Sequence, residues 1–407
     1  MTEDNTHQHT LRRVVKLPYL VLYGLGTILG AGIYILISKV AFHANIYTPL
    51  SFLVAGLVVA FTAFVYAELS GRFPKSAGEA TYVANAYGKP GITFIIGMLI
   101  AATGIVSSAT IISGFTGYFN EFFEVNPDFA EAVLIIILAF IAFWGISESV
   151  KIASVMTVIE VIGLLLVIAV SLDDISFDIV KQTELDLNLS VWAGIFTGAF
   201  LAFYAFIGFE DMVNIAEEVV EPEKNMPKGI IIVLIVSTVF YMLVAFVAVF
   251  AMPLDKLLGS TAPFSDIVRT NSNVPVSIIT SISLFAVVNG ALIQIIMASR
   301  LLYGMSRHKV LPKFLNSIHP VTRVPHKATF VVAACILILT LTFELESLAN
   351  LTSYIVVIMF ITMNLTLITI KRREASQSEK YQGFTIPMAV PVTGLIVLFG
   401  FLLSQLL

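Results

Sequence analysis

The stretch 24-GLGTILGAGI-33 lies inside an apolar segment, where an uninterrupted membrane helix would normally run. Its four glycines weaken a helix locally, because each glycine in a helix interior costs about 1 kcal/mol relative to alanine. A second stretch, 203-FYAFIGFED-211, places a glycine and two acidic residues in another apolar segment. Unwound backbone inside a bilayer is tolerated only where protein or a cavity satisfies its polar groups. The two stretches therefore predict two interrupted membrane helices around a buried site.

The composition of the whole chain is that of a membrane protein. Of its 407 residues, 58% are hydrophobic and only 12% are charged, and the mean hydropathy is +0.94. Soluble domains carry about a quarter charged residues, so a soluble enzyme of this length is excluded. The net charge of −4 indicates no basic surface for nucleic acid, and no such partner is expected. The expected surrounding is the lipid bilayer.

Eleven apolar segments are long enough to cross a membrane, which takes about 20 largely apolar residues. They lack the alternating pattern of membrane β-strands, so the sequence predicts an all-α polytopic membrane protein. Their approximate limits are 17–39, 48–69, 91–119, 131–147, 152–172, 190–216, 229–252, 274–302, 328–344, 346–370 and 386–406.

The distribution of basic residues predicts the orientation, because Lys and Arg concentrate in cytoplasmic loops. With eleven spans, 19 of the 23 Lys and Arg residues lie on the side of the amino terminus and 4 lie on the other side. Residues 1–16 are therefore expected to form a cytoplasmic tail, with the carboxyl terminus outside. The expected location is the plasma (inner) membrane, as an integral multi-pass protein.

The interrupted helices are the first and the sixth spans, and a separation of five spans fits two inverted five-helix repeats. The first repeat would cover 17–172 and the second 190–370, which together form a ten-helix core. The segment 386–406 would add one transmembrane helix outside the repeats.

An interrupted helix also offers recognition chemistry. The amino terminus of a half-helix presents free N–H groups and a positive dipole to a carboxylate. Unwound carbonyls can accept hydrogen bonds from an ammonium group, so the pair suits a zwitterion such as an amino acid. The alternative is that Gly26 and Gly30 form a close-packing surface between helices. The coincidence of breaks in spans one and six favours the binding interpretation.

Four separated regions resemble the amino acid–polyamine–organocation (APC) superfamily of secondary transporters. The first is 26-GTILGAGIY-34, and the second is the loop 66-YAELSGRFPKSAGE-79. The third is 205-AFIGFE-210 with 216-AEEV-219 and 222-PEKNMPK-228, and the fourth is 299-SRLLYGMSR-307. The resemblance extends over nearly the whole chain.

This resemblance implies a LeuT-like five-plus-five fold, with 17–370 as the transport core. It also implies secondary active transport of an amino acid or amine, without enzyme activity. Main-chain groups around 28 and 30–32 would meet the substrate carboxylate, and carbonyls near 204 and 207 would meet its amino group. Position 204 is also where the family often has a gating aromatic residue. The residues carried over are Ile28, Gly30, Ala31, Gly32, Tyr204 and Ile207.

Polar residues at other positions are weaker candidates for the substrate pocket. Thr27 lies in the first motif, and Thr103 and Ser107 share one face of the third span. Asn289 and Gln294 lie in the eighth span. Because small polar residues in membrane helices more often join helices to each other, that alternative stays open for these residues.

Glu160 is the main departure from the family, many of whose members have a lysine at the matching position of the fifth helix. It lies about 12 Å into the membrane, at 1.5 Å per residue from the start of the span. An ionisable residue at that depth is functional by default. A proton is therefore the expected coupling ion, with sodium as an alternative. A third possibility is a permanently protonated side chain that bonds to backbone carbonyls.

Glu210 and Asp211 follow the second interruption and are predicted to cap free amides there. The six histidines have no metal-ligand spacing, so neither a metal nor another cofactor is expected. The sequence places no pair of acidic residues at a common depth in the membrane, so a membrane-embedded enzyme is not expected.

The sequence thus predicts a proton-coupled or exchange-type amino acid permease that works by alternating access. One alternative is an amino acid receptor or sensor with a transporter fold, although the largest inner loop, about 303–327, is short and basic. The others are a sodium-coupled transporter and a polyamine transporter. Most relatives have twelve helices and this sequence matches eleven, so the oligomeric state stays open.

Overall fold

A computed structural model describes residues 13–75, 78–144, 150–173, 175, 188–307, 311–320, 324–377 and 381–406. Within these ranges the regular structure is helical, apart from one isolated parallel bridge between Val15 and Val219. The α-helices are α1 (Leu17–Leu29), α2 (Ala31–Ala44), α3 (Thr48–Arg72), α4 (Gly78–Tyr87), α5 (Pro90–Phe119), α6 (Pro127–Trp144), α7 (Val150–Ser171), α8 (Leu189–Ala205), α9 (Pro222–Phe250), α10 (Leu254–Gly259), α11 (Pro263–Asn271), α12 (Val276–Arg307), α13 (His326–Thr342), α14 (Leu345–Gln377) and α15 (Ala389–Leu403). The 3₁₀ helices are Asn45–Tyr47, Phe209–Glu218, Lys313–Asn316 and Ser404–Leu406.

Each of the eleven predicted spans overlaps a helix, and the all-α membrane fold is confirmed. The helices α1 and α2 share the first span, and α8 shares the sixth with Phe209–Glu218, the long 3₁₀ segment. By length and hydropathy alone, seven described stretches qualify as membrane spans, and the first of them, Leu17–Arg72, contains two predicted spans. The shorter α13 and α15 are apolar as well. The tenth span is predicted to end at 370, but its helix α14 is longer and continues as a polar segment to Gln377.

Both predicted interruptions are present. The first break is a single residue, Gly30, which separates α1 from α2. The second break is 206–208, between α8 and the long 3₁₀ segment. Gly208 has a φ of +125°, and a Cβ there would lie 2.5 Å from the Thr27 carbonyl oxygen. Glycine is needed at this position for both its backbone conformation and the close approach.

The most extensive helix packing is between spans that are five positions apart. In the described part of the chain, the three most extensive helix–helix interfaces are α3 with α9, α5 with α12, and α2 with α8. These pairs are the second and seventh, the third and eighth, and the first and sixth spans. Two inverted five-helix repeats bring such pairs together around a pseudo-two-fold axis. The exact repeat limits, 17–172 and 190–370, stay a prediction.

A buried charge network joins α3, α14 and the segment that leads into α15. The Glu68 carboxylate is fully buried and accepts hydrogen bonds from Arg72 at 2.8 Å and 2.5 Å. It also contacts the Lys371 ammonium group at 2.9 Å and the Ile386 amide at 2.7 Å. Arg72 pairs in addition with Glu374. Removing one partner of such a pair costs about 3–5 kcal/mol, because the other charge is left uncompensated.

The start of the described chain is held against the end of the long 3₁₀ segment. The Val14 and Val15 amides donate to the Glu218 carbonyl oxygen at 2.8 Å and 2.9 Å. The Val220 amide donates in turn to the Val15 carbonyl oxygen at 2.9 Å. Backbone hydrogen bonds therefore connect the segment before α1 to the segment after the second break.

Candidate functional site

The two breaks are in direct contact with each other. The Tyr241 hydroxyl of α9 lies 2.5 Å from the Ile28 carbonyl oxygen and 2.7 Å from the Ala205 carbonyl oxygen. These two carbonyl groups belong to the last turns of α1 and α8, where the carbonyl groups have no partners within the helix. A Cβ at Gly32 would lie only 2.8 Å from the Ala205 Cα, so the backbones of α2 and α8 are closely packed. One hydroxyl from α9 thus lies within hydrogen-bonding distance of a carbonyl oxygen at each break, and the two acceptors share its single proton.

A narrow cavity lies between the breaks, α5 and α12. It has about 40 Å³ of space that the centre of a water molecule can reach. Nine of the predicted site residues line it: Thr27, Ile28, Gly30, Ala31, Gly32, Ser107, Tyr204, Ile207 and Gln294. The structure therefore brings together residues from four separate parts of the sequence.

Other lining residues were missed by the sequence reasoning. Ile111, Gly290 and Ile293 complete the walls from α5 and α12. Ile111 lies one helical turn after Ser107, and Gly290 lies one turn before Gln294, so each shares a face with a predicted residue. The helical period was the available signal, but it does not show at which depth the cavity begins and ends.

Tyr204 joins the second broken helix to α5. Its hydroxyl lies 3.0 Å from the Ser107 Oγ and 3.2 Å from the Ser107 carbonyl oxygen. Both residues are buried and line the cavity. Tyr204 therefore connects α8 to α5 at the cavity wall.

Two of the weaker candidates lie outside the lining. The Thr103 Oγ1 donates to the Leu99 carbonyl oxygen at 3.0 Å and lies 3.6 Å from the Met359 sulfur. Asn289 is buried, but it does not line the cavity either. For Thr103 the contacts are those of a residue that packs helices together, which is the alternative interpretation given above.

Glu160 is 1% exposed and lies in α7, beside α2. Its carbonyl oxygen accepts a hydrogen bond from the Tyr34 hydroxyl at 2.9 Å. The contact between α7 and α1 is made one turn earlier, where the Thr157 Oγ1 donates to the Leu22 carbonyl oxygen at 3.0 Å. A Cβ at Gly26 would meet this hydroxyl at 2.1 Å. The sequence reasoning missed Thr157, and the ion-coupling role of Glu160 stays a prediction.

The two acids after the second break make different contacts. The Glu210 Oε2 accepts a hydrogen bond from the Gly208 amide at 2.9 Å, which is the geometry of a cap. The Asp211 Oδ2 instead accepts a bond of 3.5 Å from the Gln294 side-chain amide, and Gln294 lines the cavity. Asp211 is therefore in contact with the cavity wall.

A third buried acid, Glu79, lies on α4, outside the membrane spans. The Tyr66 hydroxyl donates to its Oε1 at 3.2 Å. Burial and, to a lesser extent, the nearby Asp211 charge raise the pKa of Glu79 to about 7. The amino end of α4 packs tightly on the long 3₁₀ segment, since a Cβ at Gly78 would lie 2.1 Å from the Val213 side chain. In the part of the chain that the structure describes, no group of His, Cys, Asp and Glu suits a metal ion.

The two breaks, the cavity between them and the pairing of spans five apart define a multi-pass helical membrane protein with the LeuT-like five-plus-five fold. The structure of MhsT in complex with L-phenylalanine shares this fold, with a TM-score of 0.63 over 97% of this chain and 99% of that chain, at 15% sequence identity. Within this class, the chain belongs to the amino acid permease family of the APC superfamily. The model of that family matches residues 19–406 of the chain. The protein is thus a membrane-embedded amino acid transporter of that family.

Several relatives are similar over most of the chain. The branched-chain amino acid permease BcaP of Bacillus subtilis (strain 168) is 26% identical, over 96% of this chain and 87% of the relative. The methylthioribose transporter of the same organism is 27% identical, over 95% of this chain and 86% of the relative. The vacuolar cationic amino acid transporter 2 of Arabidopsis thaliana is 29% identical over 86% of this chain, which spans only 58% of that relative.

Proposed function

We propose that this permease carries an amino acid by alternating access, as a proton-coupled symporter or an exchanger of the plasma membrane with a cytoplasmic amino terminus. The observation that carries the proposal is the cavity between the two breaks. The α2 helix begins at Ala31, and its first amides and positive dipole suit a carboxylate. Gly30 leaves this backbone open to close approach by a ligand, whereas Gly32 lets α2 pack closely on α8. Carbonyls near Tyr204 and Ile207 would receive the amino group.

The lining supports a neutral, aliphatic amino acid as substrate. The walls that would surround its side chain include Ile111, Ile293 and Gly290, and no Asp, Glu, Lys or Arg lines the described cavity. A charged side chain placed there would be desolvated without an opposite charge, which is strongly unfavourable. Among the named relatives, this preference agrees with the branched-chain permease rather than with the cationic transporter.

Glu160 supports proton coupling because it is a buried carboxyl group beside both halves of the first broken helix. Its main-chain carbonyl oxygen accepts from Tyr34 of α2, and one turn earlier Thr157 contacts α1. The carboxyl group therefore belongs to the turn of α7 that contacts both halves, where a change in its protonation can influence their packing. Sodium coupling and exchange without net proton movement are the outcomes that the experiment below separates.

The test is uptake and counterflow in proteoliposomes with a panel of labelled aliphatic, cationic and acidic amino acids, measured without a gradient, with a pH gradient and with a sodium gradient. We expect aliphatic amino acids to accumulate with the pH gradient. Glu160→Gln should abolish accumulation and keep counterflow, whereas Glu131→Gln, another buried carboxyl group in α6, should keep both. If no amino acid is carried or exchanged under any gradient, the transport proposal is wrong. Unchanged accumulation in Glu160→Gln would exclude the proton role of this residue.

The substrate class has its own test at Gly290. A Cβ there would lie 3.4 Å from the Ile111 side chain and 3.7 Å from the Ala31 Cβ, so alanine fits and narrows the cavity. We expect Gly290→Ala to shift selectivity from leucine towards alanine by roughly tenfold, since one methyl group in a pocket has about that effect. Gly304→Ala in the same helix meets nothing within 4 Å and is the control. Unchanged selectivity in Gly290→Ala would place the substrate side chain elsewhere.

A further inference from the structure

The most basic part of the chain connects α12 to α13. Residues 300–327 contain six Lys and Arg residues and three His residues, without a single Asp or Glu. The other loops on the amino-terminal side, 70–90 and 371–380, mix basic residues with acids. Each basic residue near an anionic membrane surface contributes about 1 kcal/mol of attraction. The 300–327 region therefore differs from the other loops in favouring an anionic partner.

A small second cavity lies at this level, between α6, α12 and α13. It has about 20 Å³ of space for the centre of a water molecule, and Arg300 is the charged residue of its described lining. The hydroxyls of Ser299 and Thr329, which also line it, donate to carbonyl oxygens of their own helices. In the described part of the chain, no carboxylate pairs with Arg300. The guanidinium group is therefore available as a hydrogen-bond donor to an anion.

The α13 helix adds positive potential to the same place. Its first residue is His326, and Pro325 immediately before it lines the cavity. The amino terminus of a helix of this length favours a negative charge within its first turn. The Nδ1 atom of His326 is buried and has no hydrogen-bond partner among the described residues. Arg300 and the start of α13 together form a cationic recess.

The two helices beside the recess, α6 and α13, also carry exposed apolar side chains. Phe330, one residue after Thr329 of the lining, is 69% exposed on α13. Phe140, two residues before Ala142 of the lining, is 60% exposed on α6. In a bilayer, these side chains face lipid. A phospholipid at this level would place its negative head group at the recess and its acyl chains against α6 and α13, a contact that a free anion cannot make.

We propose that this recess binds the phosphate group of an anionic phospholipid, with the Arg300 guanidinium as the main donor and the acyl chains against the lipid-facing surfaces of α6 and α13. Arginine suits this contact because its planar group can donate two parallel hydrogen bonds to a phosphate. The site is separate from the substrate cavity, and the proposal does not depend on the coupling mechanism.

Lipid retention by the purified full chain in detergent, measured by native mass spectrometry, tests the proposal. Phosphatidylglycerol, phosphatidylcholine and inorganic phosphate are added separately. We expect the wild type to retain phosphatidylglycerol in preference to phosphatidylcholine, and Arg300→Gln to lower this retention about fivefold, the loss that one basic contact represents. Lys89→Gln removes an exposed basic residue of another loop on the same side and should retain phosphatidylglycerol like the wild type.

Arg300→Lys is the second variant, because it keeps the charge if Arg300→Gln does not fold. Its retention should fall by less than that of Arg300→Gln, since an ammonium group lacks the planar pair of donors. Wild-type retention in both Arg300 variants would overturn the proposal. So would equal retention of the two lipids by the wild type. Complete displacement of phosphatidylglycerol by inorganic phosphate would identify a site for a free anion instead.

Discussion

The two breaks in this permease are built in different ways. The first break is one glycine, and an α-helix resumes at the next residue. The second break takes three residues and resumes as a 3₁₀ helix with two acids in its first turn. Gly30 has a φ of −64° with a ψ of −139°, outside the helical and extended regions, and Gly208 has a φ of +125° that other residues rarely adopt. Both breaks therefore use a glycine, but the first is confined to that one residue and the second also has a cap.

This difference suggests a division of labour. The first break presents the amino end of α2 to the cavity, so it is suited to binding a carboxylate. The second break is surrounded by structural contacts: Gly208 meets the Thr27 carbonyl, Glu210 caps Gly208, and α4 packs on the segment that follows. Substitutions at the first break should therefore affect binding, and substitutions at the second should affect stability.

Gly208→Ala should have the largest effect on stability. The backbone strain of a side chain at this φ costs about 1–3 kcal/mol, and the added Cβ would also lie 2.5 Å from a carbonyl oxygen. We expect a large fall in melting temperature in detergent, or failure to insert. Gly88→Ala is the matched control, because Gly88 has a φ of +60° with nothing within 4 Å. Equal losses in the two variants would show that the contact with Thr27 is unimportant.

Gly30→Ala should give the opposite result at the first break. A Cβ there would meet only the Gly26 carbonyl oxygen, at 3.2 Å, a milder contact than the 2.5 Å contact at Gly208. The melting temperature should fall less than in Gly208→Ala, while amino acid binding measured by thermal shift or calorimetry should weaken at least tenfold, because the methyl group enters the cavity. Wild-type affinity in this variant would contradict the division between the breaks.

Tyr241→Phe should loosen both breaks at once. Its hydroxyl reaches the carbonyl oxygens of Ile28 and Ala205, and buried acceptors without a partner cost about 1–3 kcal/mol. Hydrogen exchange should then increase around 28–32 and 205–208 together. Tyr354→Phe, at a partly exposed position on α14, should leave exchange at both breaks unchanged. Faster exchange at only one break would show that the hydroxyl serves that break alone.

Glu210→Ala should have a moderate effect that is confined to the second break. It removes the acceptor of the Gly208 amide, and the loss of a cap costs about 0.5–2 kcal/mol. Asp211→Ala is the comparison, because Asp211 contacts Gln294 of the cavity wall and should change binding more than stability. Equal melting temperatures and equal substrate binding in the two variants would contradict this distinction between the two carboxylates.

The smallest predicted effect is a pH dependence of stability that arises at α4. The pKa of Glu79 is about 7 in the folded protein and near 4.5 when exposed, so folding favours its protonated form. This contribution is fully present below about pH 4.5 and is lost as the pH rises through 7. The melting temperature of the wild type should therefore fall more between pH 5 and pH 8 than that of Glu79→Gln. Parallel curves for the two proteins would contradict the assignment.

Much of the fold could be predicted, because its signals are local in the sequence. Apolar segments of sufficient length indicated the spans, and glycines or acids within such segments indicated the two breaks. A broken helix leaves main-chain groups free, so the same residues indicated where a zwitterion could bind. Nine predicted residues do line one cavity, although their binding role stays a proposal.

The tertiary structure alone decided which faces and depths meet. Thr103 and Ser107 share a helix face, yet only Ser107 lines the cavity. There its hydroxyl meets the hydroxyl of Tyr204, which comes from another helix. Likewise, α7 contacts α1 through Thr157, one turn before the position that the family motif had indicated. The sequence by itself determined the spans, the breaks and the scarcity of charge, since these depend on the chain and the bilayer. The lining of the cavity depends on the rotation and depth of each helix against its neighbours, which only side-chain packing between distant segments sets.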